Sequence, residues 1–115
     1  MASKSISFFK PRPFLVTSVF GDFTVDAVPP TVDEGLAIQE GLDGLTVTEA
    51  LERVVLPFLV QHVHAVDGVE DVPEVPPKKK DRLAFWRGLP SGVCFDSMSA
   101  VLENRTPPKS SEPDA

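Results

Sequence analysis

Phe14-Leu-Val-Thr-Ser-Val-Phe20 and Phe23-Thr-Val-Asp-Ala-Val28 stand on either side of Gly21-Asp22. Both runs are rich in β-branched and aromatic residues, and a two-residue link that begins with glycine suits a tight hairpin turn. Setting Phe20 opposite Phe23 places Ser18 across from Val25 and Val16 across from Ala27. Phe14, Val16, Phe20, Phe23 and Val25 then share one face, and Thr17, Val19, Thr24 and Asp26 share the other. A two-stranded hairpin is marginal alone and has to bury its apolar face against something. The expected fold class is therefore α+β: a small N-terminal β-hairpin packed on two or three short helices, with disordered termini.

The cover for that face follows in sequence. Pro29-Pro30 stops the second strand. Thr31-Val-Asp-Glu34 has the spacing of a capping box, in which the threonine hydroxyl accepts from the third amide and the glutamate reaches back to the first. It predicts a helix to about Glu40, interrupted by Gly35 and ended by Gly41 or Gly44. Thr46-Val-Thr-Glu49 repeats the spacing, with Leu45 placed to staple onto Ala50. Val47, Leu51, Val54, Val55, Phe58 and Leu59 recur at a helical period, and Pro57 predicts a kink or break near Val54–Leu56. From Val60 to Val66 the pattern fits helix and strand equally.

The rest of the chain reads as punctuation and short elements. Residues 1–13 form a flexible arm anchored by Phe8 and Phe9, and residues 14–66 form the hairpin-plus-helices core. Residues 67–80 are a linker of Pro, Val and acids without helical period. Residues 81–104 hold short helical segments: one turn over Asp81–Arg87 presenting Leu83, Phe85 and Trp86, a loop at Gly88–Gly92, and a last helix capped by Asp96 and ended by Asn104. Residues 105–115 read as a disordered tail.

Composition narrows the function. A chain of 115 residues fits one domain. Its net charge of −6 disfavours general binding to phosphate backbones. One cysteine, Cys94, permits no internal disulfide and favours a reducing compartment. The longest apolar run, Val54–Val60, falls far short of the ~20 residues of a membrane span, and no secretory signal is visible. A cytoplasmic protein without membrane contact is the expectation.

Sites of chemistry are sought and mostly not found. His62 and His64 would share a face on a strand but point about 200° apart on a helix, and no further metal ligand accompanies them. Cys94 lies among apolar neighbours, which raise a thiol pKa and blunt its nucleophilicity. No phosphate-cradling loop and no acid/base pair stands out. No enzyme, no metal and no cofactor is expected. One segment interleaves bases with aromatics, Lys78-Lys79-Lys80-Asp-Arg-Leu-Ala-Phe-Trp-Arg87. It suits docking to a protein or stacking on single-stranded nucleic acid through Lys78, Lys79, Lys80, Arg82 and Arg87.

The layout resembles the short tail-assembly chaperones of long-tailed bacteriophages. The likeness runs from about Phe14 to Val66 and rests on the hairpin around Phe20-Gly-Asp-Phe-Thr-Val25 and the helical segment Pro30-Thr-Val-Asp-Glu-Gly-Leu-Ala-Ile-Gln-Glu40. It implies a non-enzymatic protein of the host cytoplasm that coats a tape-measure protein and recruits tail-tube subunits. Physical chemistry adds that a helix apolar nearly all round must be covered on two sides. In so short a chain the second side meets another protein or another copy of itself. The expected partner-binding residues are Phe20, Phe23, Val55, Phe58, Leu59, Phe85 and Trp86. Two alternatives stand beside this reading: a viral accessory protein that engages nucleic acid or a host factor through Lys78–Arg87, and a minor virion or head–tail connector protein.

Overall fold

The computed structural model describes residues 5–107, so Met1–Lys4 of the expected arm and the expected tail from Pro108 lie outside the described residues. The fold is α+β. Strand β1 (Arg12–Ser18) and strand β2 (Gly21–Ala27) form the antiparallel hairpin. Strand β3 (Val63–Asp67) adds to the far side of β2, giving the order β1-β2-β3. The ambiguous stretch Val60–Val66 thus divides, its first part helical and its second part strand.

The hairpin register differs from the expected one. Val16 lies opposite Phe23, Phe14 opposite Val25 and Ser18 opposite Gly21. Val19-Phe20 forms the loop, where Phe20 is 73% exposed. The shift is by an even number of residues, so the faces survive: Phe14, Val16, Phe23 and Val25 all point into the core. Gly21 sets the register instead of Gly21-Asp22 forming the turn. Its φ of +124° is open to glycine alone, and the Ser18 hydroxyl donates to its carbonyl at 2.7 Å.

Helix α1 (Val32–Leu42) begins at the Thr31 capping box, with both reciprocal hydrogen bonds in place. Gly35 does not interrupt it, and the helix closes at Asp43, before Gly44 at φ +76°. Helix α2 (Val47–Ala50) starts from the second box, at Thr46. It runs through a π-helical turn, Leu51–Val55, into helix α3 (Leu56–His62). The expected break at Pro57 is instead a widened turn. Leu56 N–H reaches back to Leu51 O, and the extra residue makes room where proline lacks a donor and crowds the preceding turn. Val55, Leu56, Phe58 and Leu59 are buried in the core.

Helix α4 (Lys79–Arg87) and helix α5 (Ser91–Leu102) complete the core with Phe85, Trp86, Cys94, Met98 and Val101. Both extend beyond the expected segments. Pro90 holds the N-cap position of α5, and Asp96 lies inside that helix. Asn104 sits in the left-handed region at φ 57°. Asn104 N–H donates to Val101 O and Arg105 N–H to Ala100 O, the paired bonds of a Schellman cap. Arg105 O then accepts from Leu15 N–H at 2.8 Å, on the outer edge of β1.

Candidate functional site

Burial sorts the expected partner-binding set. Val55, Leu59 and Trp86 are fully enclosed, and Phe23, Phe58 and Phe85 nearly so. Their hydrophobicity is accounted for by the core, and contact through them would require the core to open. Only Phe20 stands free, next to the still more exposed Val19.

The expected basic set also divides. Arg82 is buried. Its Nε donates to Pro76 O at 2.9 Å, its Nη1 to Val60 O at 3.0 Å and its Nη2 to His64 Nδ1 at 3.4 Å. Val60 lies in the last turn of α3, where free carbonyls and the helix dipole favour a cation. Arg87 is held bidentate by Glu52, at 2.7 and 2.8 Å. Lys78, Lys79 and Lys80 are exposed at the start of α4. Two of the five cations expected on nucleic acid are thus committed to the protein's own framework.

The histidines have separate tasks. His62 Nδ1 donates to Val28 O at 2.9 Å, and its ring stacks on Phe58 at 4.5 Å. His64 accepts from Arg82, and burial, Arg82 and His62 together hold its pKa below the ordinary value. Among the described residues no group of three or more His, Cys, Asp or Glu converges as a metal site. The Cys94 thiol donates to Trp86 O at 3.5 Å, and burial pushes its pKa up to about 11.

Two concave surfaces stand out among the described residues. The first is a groove of about 270 Å³ between α1 and the helix running from the π turn into α3. Its apolar lining is Ala37, Ile38, Val54, Pro57 and Phe58. Glu34 spans it: Oε1 accepts from Thr31 N–H at 2.8 Å, and Oε2 accepts from Gln61 Nε2 at 3.3 Å. α1 has no buried residue. Ile38 turns inward onto the core, whereas Val32 and Leu36, one turn apart, are 79% and 59% exposed. Val47, at the start of α2, is exposed too.

The second surface is a cleft of about 480 Å³ beside the hairpin loop. Phe23, Val66, Val69, Trp86, Leu89 and Val93 give it an apolar lining, and Asp22, Glu70 and Asp71 supply the charges. The Trp86 indole N–H is buried and has no hydrogen-bond partner among the described residues. Sequence reading missed both surfaces. Val32 and Leu36 carry a signal that it could have used, an i, i+4 pair on the side of a capped helix away from Ile38. The cleft carries none, since its walls come from three separate stretches of chain.

Among the described residues, no helix is long and apolar enough to cross a membrane. Comparison with known proteins finds no matching family model, no matching curated protein and no matching solved structure.

Proposed function

We propose that this chain is a non-enzymatic interaction protein that holds a long helical partner, the part a phage tail-assembly chaperone plays toward a tape-measure protein. The observation that carries this reading is α1, an eleven-residue helix with no buried residue and apolar side chains on two faces. Ile38 covers one face. Val32 and Leu36 form the start of a stripe on the other, at the spacing by which one amphipathic helix lies along another. Asp33, Gln39 and Glu40 border the stripe and keep it hydrated while it is free. Engagement of both Arg82 and Arg87 leaves the nucleic-acid alternative with three lysines on an acidic chain.

The test is co-expression with a tape-measure-type protein. The wild type keeps that partner soluble. A Leu36→Asp variant, altered only at an exposed position, stays folded and loses the partner. The complex withstands moderate salt because its contact is apolar, whereas phosphate binding weakens steeply over the same range. A wild type that leaves the partner insoluble while binding single-stranded DNA at low salt would overturn the proposal.

A further inference from the structure

The cleft beside the hairpin loop is independent of the α1 stripe. We infer that it receives the N-terminal arm of a second copy of this chain, so that two molecules exchange arms. Three observations converge on this occupant. The cleft has an apolar lining, and its charged residues, Asp22, Glu70 and Asp71, are all acidic. The arm is the complement. Ile6, Phe8 and Phe9 are 81%, 72% and 68% exposed, and Lys10 and Arg12 follow them. Three large apolar side chains within four residues make up a patch that a protein seldom leaves in water without a partner.

The third is the direction of the arm. Arg12 enters β1 opposite Ala27, at the end of the hairpin away from the Val19-Phe20 loop. Seven residues of strand at about 3.3 Å each put roughly 20 Å between that entry and the cleft. Arg12 Nη2 also donates to Ser7 O at 2.8 Å, and Phe9 N–H to Ser7 Oγ at 3.3 Å, folding the arm at its root. Reaching its own cleft would require the arm to break these bonds and reverse. A second molecule related by a two-fold axis offers its cleft without reversal, and each copy then gives and receives the same contact.

The experiment is sedimentation equilibrium of the full chain over a concentration series up to about 200 µM, with Trp86 emission recorded on the same samples. Trp86 is the sole tryptophan and the chain has no tyrosine, so the emission reports on the packing beneath the cleft. The wild type is expected to show a reversible monomer–dimer equilibrium with an emission shift that follows it. Phe8→Asp with Phe9→Asp, at exposed positions that leave the fold intact, should weaken association at least about tenfold and abolish the shift. Glu70→Lys with Asp71→Lys should do the same from the other side, and adding Lys10→Glu should restore part of the affinity. A wild type that stays monomeric throughout overturns the inference. So does a dimer that forms equally well with both arm phenylalanines replaced, or a Trp86 emission that depends on the arm but not on concentration.

Discussion

Arg82 bears a positive charge inside the protein with no carboxylate at ion-pair distance among the described residues. It is tolerated because its donors meet carbonyls that would otherwise be short of partners, at the end of α3 and in the segment before α4. Arg82→Met keeps the stem and removes the donors, and should lower stability by about 1–3 kcal/mol in urea unfolding. In sequence Arg82 had looked like a nucleic-acid contact, because residue type alone does not say which way a guanidinium turns. His64, beside it, is held below its ordinary pKa. The unfolded chain therefore binds this proton more readily than the folded one, so stability is full above about pH 6.5 and falls as the pH drops below it. Replacing His64 by Gln should flatten that part of a stability–pH curve; an unchanged slope would show that other groups set it. Cys94, buried with its pKa raised, should resist iodoacetamide at pH 8 in the native protein and react at once in urea.

Among the elements, the two capping boxes were legible because their hydrogen bonds are local, made within three residues of sequence. The hairpin was legible for the same reason, and its buried face followed from parity alone. What was not legible depends on distant chain. The loop residues were misplaced because φ at Gly21 is not written in composition. The third strand was undecided because Val63–Asp67 becomes a strand by pairing with β2. The true length of α5 was hidden because Pro90 opens it and no side-chain cap announces it. The caps themselves differ in consequence. Thr46 opens the helix that fills the core, whereas Thr31 opens a helix with nothing fully buried. Thr46→Ala should therefore cost about 1 kcal/mol of global stability. Thr31→Ala should chiefly speed amide exchange in α1 and leave the protection of Val55 and Leu59 unchanged.

On the scale of the whole molecule, the stretch from Val69 to Pro77 has no regular structure but is not detached. Val69, Val72 and Val75 are half-buried against the core, and Arg82 holds the carbonyl of Pro76. Sequence suggested a loose linker because valines and prolines without period look alike whether or not they find a surface. Limited digestion with proteinase K should spare Val69–Pro77 in the wild type and cut it in Arg82→Met; early cleavage of the wild type there would show that the valines do not hold it. The sheet's outer edge at β1 is protected by means scattered along the chain. On β1, Pro13 has no N–H to offer and Leu15 N–H is taken by Arg105 O. That last contact joins the first strand to residues about ninety positions later in the chain. A ribosome releases β1 long before it adds Arg105, so during synthesis the edge is open and the hairpin has neither α4 nor α5 to cover it. Folding of this protein is accordingly a late event, completed only when nearly all the described chain has been made, and the interval before it is when the nascent hairpin is most exposed to the wrong neighbours.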